Sequence, residues 1–235
     1  GIKTRTAPVV KALLDTGATT VFAGDPHTWK KNRAFDALCE DPRVLPQALD
    51  ITDTDSVERL SRSIGGKVEI LVNTADYARE GGILHNRDLL KAQDAFNVNC
   101  LGLMRLAQHF GPAMAGRGAD GTANAVAWVN TLPIYAPLNL PSRGMWSASQ
   151  AAALSASQCL RNELRPSGIR VVNVFSGPID YEWEQLTPPP RVSPSAIASA
   201  IVRALRDGVE EAYVGDVAQE FLARMHDNPK GLERE

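Results

Sequence analysis

Gly144-Met145-Trp146-Ser147-Ala148-Ser149-Gln150-Ala151-Ala152-Ala153 is the stretch on which the reading of this chain turns. It follows an apolar run, Ala125-Val126-Ala127-Trp128-Val129, and a loop holding Pro133, Pro137 and Pro141. The run has the composition of a buried strand, and about residues 142–164 have that of a helix rich in Ala and Ser. On either side, strands and helices alternate. Strands are expected at residues 19–23, 44–49, 68–72, 169–175 and 212–214. Helices are expected at 6–15, 29–38, 53–64, 89–114 and 196–205, the first closed by Gly17 and the third capped by Asp53. Several strands are continuous apolar runs. That pattern implies a parallel sheet covered on both faces, a doubly wound α/β domain spanning residues 1–235. Its first strand is expected ahead of Gly1, because the chain opens directly on a helix.

A chain of 235 residues with 44% hydrophobic content is long enough for one well-buried core. No apolar run approaches the ~20 residues of a membrane span, and no secretory signal opens the chain. The net charge of −2 gives no reason to expect nucleic acid or an anionic membrane as partner. Cys39, Cys100 and Cys159 show no metal-ligand spacing and read as buried small residues in a reducing, cytoplasmic compartment. No metal site is expected.

Taken together, the motifs resemble the short-chain dehydrogenase/reductase family over nearly the whole chain. A strand, a loop and Tyr-Ser-Ala-Ser-Lys on a helix form that family's catalytic segment, and residues 144–153 are similar to it. Leu49-Asp50-Ile51-Thr52 resembles the segment after the third strand that holds adenine through Asp50 and Ile51. Asn73-Thr74-Ala75-Asp76 resembles the family's Asn-Asn-Ala-Gly, with Asn73 and Ala75 at the cofactor. Asn97-Val98-Asn99 resembles the segment that supplies the tetrad asparagine, here Asn99. Ser176-Gly177-Pro178-Ile179 resembles the Pro-Gly-Pro-Ile segment beside the nicotinamide. The resemblance implies a Rossmann-like fold, NAD or NADP as cofactor, and a homo-oligomer, dimer or tetramer. The Ala- and Ser-rich helix fits close approach between copies or close packing within one.

The departures concern chemistry. Trp146 stands where the family has its tyrosine and Gln150 where it has its lysine. Counting back from Trp146 puts the family's serine at Pro133, with Asn130 and Thr131 nearby. A phenol with a pKa of about 10 needs a cationic neighbour to work near neutral pH. An indole N–H is a donor and not a practical proton source. Lys91 and Lys230 are consecutive lysines, so a register slip supplies none. The glycine-rich phosphate loop is also altered: Thr4 and Thr6 fall at two glycine positions, and either the Thr hydroxyls with Lys3 or Arg5 contact phosphate in another pose or the helix start binds nothing. Asp76 replaces a further glycine. Asp25 is either a ribose acceptor or a turn residue before Pro26.

Tyr135, His85, Tyr181, Glu182 and Glu184 are candidate acid–base groups for the expected cleft; the alternative reading makes Trp146 and Trp183 apolar filling and turns Glu182 and Glu184 to solvent, and His109 reads as a packed or exposed helix residue. Two functions remain open. One is a redox-impaired homologue acting as a binding or regulatory protein on an unknown small-molecule ligand. The other is an NAD(P)-dependent dehydrogenase/reductase of unusual mechanism on a small carbonyl or alcohol.

Overall fold

The computed structural model describes residues 2–26, 33–84, 89–117, 124–180 and 190–232. Trp29, His85 and residues 181–184 lie outside them, as do the side chains of residues 2–5. The elements follow the expected alternation: α1 (Ile2–Asp15), β1 (Val21–Asp25), α2 (Arg33–Leu38), β2 (Val44–Ala48), α3 (Thr54–Ile64), β3 (Ile70–Asn73), α4 (Leu89–Phe96), α5 (Gly102–Ala115), β4 (Ala127–Pro133), α6 (Gly144–Leu164), β5 (Arg170–Ser176), α7 (Pro194–Asp207), β6 (Glu211–Val214), α8 (Asp216–Asp227) and the short α9 (Pro229–Leu232). Asp53 caps α3 as expected, its side chain accepting from the Asp55 N–H at 3.0 Å. The amphipathic helix α8 was not expected from the sequence.

Every strand pairing is parallel. The order is β2-β1 in one group and β3-β4-β5-β6 in the other. Side chains alternate across the larger group. Trp128 and Val171 pack with Leu160, Leu164, Leu106 and Phe110 of the α3/α5/α6 layer. Val129, Val172 and Val174 pack with Val9 of α1 and with Ile197 and Ile201 of α7. Helices thus cover both faces, the doubly wound arrangement that near-continuous apolar strands require.

Between β1 and β3 lies a slot, part of a cavity of about 730 Å³. Val21, Phe22 and Ala23 line it from one side and Ile70, Leu71 and Val72 from the other.

Two sequence expectations are corrected. Pro133 is not in a loop: it is the last residue of β4, in register with Ser176, and all seven residues of that strand are buried. At a strand end the missing N–H of proline costs little, and the next residue, Ile134, donates its N–H to the Ser176 carbonyl at 2.8 Å. Cys159 is exposed on α6, whereas Cys100 is buried and its thiol is pushed up by desolvation.

A row of asparagines crosses the sheet where α6 lies on it. Asn73, Asn130 and Asn173 are in register on β3, β4 and β5. Asn130 donates to Ser157 Oγ at 2.9 Å and accepts from Trp128 Nε1 at 3.0 Å. Ser157 in turn donates to Asn173 Oδ1 at 2.6 Å. A hydroxyl that both donates and accepts here pins α6 to two strands. Ser157→Ala should strand two buried polar groups at a cost of about 1–3 kcal/mol. Thermal unfolding should shift down by several degrees, at roughly 2–4 °C per kcal/mol for a chain of this size. An unchanged melting temperature would show that the pin carries no load.

Candidate active site

The carboxyl ends of β1, β2 and β3 converge on the mouth of the cavity. Asp25, Asp50, Ile51, Thr52, Asn73, Thr74, Ala75 and Asp76 all line it, together with Thr6. These ends flank the point where strand order reverses, the usual ligand position in an open α/β sheet. Thr6 of α1 meets Thr74 at 3.2 Å between hydroxyl oxygens, so the first turns of α1 sit beside the β3 end.

Local hydrogen bonds shape each corner. Asp50 Oδ1 accepts from the Thr52 N–H at 2.9 Å and from Thr52 Oγ1 at 2.7 Å. Asn73 Oδ1 accepts from the Ala75 N–H at 3.2 Å. Ile51 is placed by α5. A side chain at Gly102 would come within 2.6 Å of Ile51 Cδ1, and Arg105 Nη1 donates to the Ile51 carbonyl at 3.2 Å. Arg105 also donates to the Asn97 carbonyl at 3.3 Å. Residues Asn97–Leu101 form a π turn between α4 and α5, which leaves such carbonyls for other donors.

That π turn carries Asn99, which is 4% exposed. Its Oδ1 accepts from the Tyr77 N–H at 2.8 Å; its Nδ2 donates to the Tyr77 carbonyl at 3.2 Å and to Ser149 Oγ at 2.9 Å. Ser149 Oγ donates to the Trp146 carbonyl at 2.7 Å. In this geometry Asn99 braces the β3–α4 loop against the start of α6. Ser147 anchors the same end of α6 by donating to the Tyr135 carbonyl at 2.9 Å.

Trp146 and Gln150 meet at one carboxylate. Asp76 Oδ1 accepts from Trp146 Nε1 at 2.8 Å and from Gln150 Nε2 at 2.8 Å. Trp146 and Gln150 are 6% and 2% exposed, so both donors would otherwise be buried without an acceptor. Trp146 is therefore more than apolar filling. Tyr135 packs on it at 6.0 Å between ring centroids, and also on Phe221 of α8 at 6.3 Å. Arg143 lies over the Trp146 ring at 5.9 Å and pairs with Glu80 at 2.5 Å.

The sequence-derived residues divide into two groups. Asp50, Ile51, Asn73 and Ala75 share the cavity mouth with Asp25 and Asp76. Gly177, Pro178 and Ile179 are not part of its wall. They are tied instead to the 190s segment, with the Val192 N–H donating to the Pro178 carbonyl at 2.7 Å and Ile179 bridged to Val192. The Asp76–Trp146–Gln150 cluster was not foreseen. Its only trace in the sequence is that three motif positions depart together. Among the described residues no group of acidic, His or Cys side chains is arranged to hold a metal.

The short chain dehydrogenase family model matches residues 6–189. Short-chain dehydrogenase PC-15 of Penicillium crustosum is 33% identical over 159 residues, covering 65% of this chain and 55% of that protein. Short-chain dehydrogenase ptmH of Penicillium ochrochloron is 34% identical over 138 residues, covering 56% and 47%. The chain thus spans about half the length of these curated relatives. A crystal structure of a short-chain dehydrogenase from Burkholderia cenocepacia in complex with NADP is 33% identical, with a TM-score of 0.86 over 98% of this chain and 92% of that one. A short-chain dehydrogenase from Streptomyces avermitilis, 21% identical with a TM-score of 0.80 over 98% and 90%, shares the fold. These matches favour the oxidoreductase reading over that of a redox-impaired binding or regulatory homologue, which nothing in them supports.

The clasp on Asp76 makes a direct prediction for NADH oxidation with a panel of small aldehydes and ketones. Trp146→Tyr with Gln150→Lys puts an ammonium against Asp76, which holds it as an ion pair. Adding Asp76→Gly releases that ammonium and should raise the rate at least about tenfold over the double variant. Equal rates would show that Asp76 does not govern the two positions.

Proposed function

The chain belongs to the short-chain dehydrogenase family, and on that premise we propose that it is an NAD(P)-dependent oxidoreductase acting on a small carbonyl or alcohol, with a proton path other than a Tyr/Lys pair. The observation that carries the proposal is the strand-end mouth where Asp50, Ile51, Asn73 and Ala75 come together beside the start of α1. The residues fit the adenosine half of a dinucleotide. Asp50 is fixed through one oxygen by Thr52, Ile51 is set by Gly102 and Arg105, and Asp25 closes the β1 end. The first turn of α1 offers backbone N–H groups toward a pyrophosphate. When bound, the nicotinamide would accept or deliver the hydride. This chain's own residues bind, orient and exclude water around it.

Asp25 bears on the choice of cofactor. An acidic group at this strand end suits the free ribose hydroxyls of NAD, and its charge opposes the 2′-phosphate of NADP. A location in the cytoplasm is in keeping with three free cysteines. Among the described residues no helix is long and apolar enough to cross a membrane.

A second copy of the chain is the proposed partner. Leu89, Leu90, Phe96, Leu101 and Met104 are exposed along α4 and α5, next to exposed Ala148 and Ala151 on α6. Exposed large apolar side chains gathered on neighbouring helices mark an interface more often than plain surface. By contrast Ser147, Ser149 and Ser157 of α6 are buried and spent on packing within one copy.

Calorimetric titration tests the cofactor reading. Micromolar NADH binding is expected, about tenfold tighter than NADPH, with Asp25→Ser narrowing that gap. No binding of either at millimolar concentration would sink nicotinamide chemistry in this cleft. Leu101→Glu with Met104→Glu should lower the mass found by sedimentation to that of one chain. An unaltered mass would place the interface elsewhere.

A further inference from the structure

We infer that residues 77–83, the strap between β3 and α4, form a hinged cover over Trp146 and Gln150, and that a ligand reaches this face of α6 only when the strap lifts. The inference deepens the oxidoreductase reading above. It rests on that reading for one thing, that this face of α6 is the reaction end of the cleft.

The side chains at the family's reacting positions are shut away from water: Trp146, Gln150, Asn99 and Ser149 are all buried. A substrate that is to meet them needs part of the wall to move. Tyr135, wedged between Trp146 and Phe221, is held by ring packing. The strap is held at two places. At its root Asp76 accepts from Trp146 Nε1 at 2.8 Å, and Asn99 bonds both the N–H and the carbonyl of Tyr77. Farther along it lies on the turn Pro141–Arg143 that leads into α6. There the Gly81 N–H donates to the Ser142 carbonyl at 3.1 Å, and Glu80 pairs with Arg143 at 2.5 Å. Ile83 then meets Gly144, where an added Cβ would come within 3.0 Å of the Ile83 Cγ1. Arg143 itself lies over the Trp146 ring. The strap therefore runs past Trp146, from its indole N–H at Asp76 to the guanidinium on its ring.

Root and tip differ in strength. The root is tied by hydrogen bonds to the buried side chains of Asn99 and Trp146. The tip is tied by one backbone bond and by an ion pair whose Glu80 side chain is 67% exposed. An ion pair so exposed contributes little and is screened by salt. Arg143 is only 14% exposed and has partners besides Glu80, so the pair parts on the Glu80 side. Two glycines let the tip lie flat. Gly81 has a φ of +132°, which side chains rarely adopt, and a Cβ on Gly82 would come within 2.8 Å of the Pro141 carbonyl oxygen. A firm root with a lightly fastened glycine tip lets the strap swing as a unit. Closed, it keeps water from the bonds that Trp146 and Gln150 make to Asp76.

The test is hydrogen exchange followed by NMR on the full chain without cofactor, wild type against Glu80→Ala, with each indole signal assigned by its Trp→Phe variant. Loss of the tip ion pair should speed exchange of the Gly81 N–H and of the Trp146 Nε1–H together, by about threefold. Added salt should speed both in the wild type and neither in Glu80→Ala. The Trp128 Nε1–H, which donates to Asn130 in the sheet, should keep its rate. Gly82→Ala, which pushes the tip off Pro141, should act in the same direction as Glu80→Ala. Unchanged exchange at Trp146 in both variants overturns the inference, and so does an equal acceleration at Trp128, the mark of general loosening. Neither result touches the oxidoreductase reading, because no dinucleotide enters the experiment. Failure of the wild-type chain to bind any dinucleotide in the titration above overturns that reading, and with it the strap's place at a reaction end.

Discussion

The site depends on one carboxylate satisfying two buried donors. Trp146 and Gln150 both stand on the inner face of α6, almost wholly out of water, and each has an N–H group that must find an acceptor. Asp76 supplies it to both from the end of β3, across 70 and 74 residues of chain. The dependence runs both ways, because a carboxylate leaving water at this strand end needs donors in return. A glycine at 76 would orphan the indole and the amide. A lysine at 150 would turn a hydrogen bond from a neutral donor into an ion pair. The three residues therefore form one hydrogen-bonded unit.

The rest of the architecture holds the two sides of that unit in register. Ser157 ties the middle of α6 to Asn130 and Asn173 of the sheet. Ser147 and Ser149 tie its start to the β4–α6 loop and, through Asn99, to the backbone of Tyr77. The π turn at Asn97–Leu101 places Asn99 there, and Gly102 lets α5 close on Ile51 at the opposite corner of the mouth. The small residues of α6 serve this internal fastening on one face and leave Ala148 and Ala151 at the surface on another.

The sheet was legible in the sequence because a strand buried on both faces is largely apolar along its length, as the run at residues 125–129 is. Asp53 was legible because a helix start needs a side-chain acceptor. Pro133 was misplaced because a proline reads as a loop residue, yet a strand's last position needs no N–H from it. The helix α8 escaped notice although Val217, Phe221, Leu222 and Met225 have helical spacing; those side chains stay partly exposed, and Ala218 alone of its residues is buried. At the site, Asp50, Ile51, Asn73 and Ala75 were legible as local turn motifs. The Asp76 clasp was not, since no local pattern joins residues 76, 146 and 150; only the folded sheet brings them together.

Energetic coupling between Asp76 and Trp146 is what makes the three residues one unit. A double-mutant cycle in denaturant unfolding, with Asp76→Ala, Trp146→Phe and both together, measures that coupling. A hydrogen bond between a carboxylate and a buried donor should appear as a coupling of about 1.5–3 kcal/mol. Effects that simply add, to within about 0.5 kcal/mol, would mean that the two side chains are neighbours without being partners, and the unit built on them would dissolve.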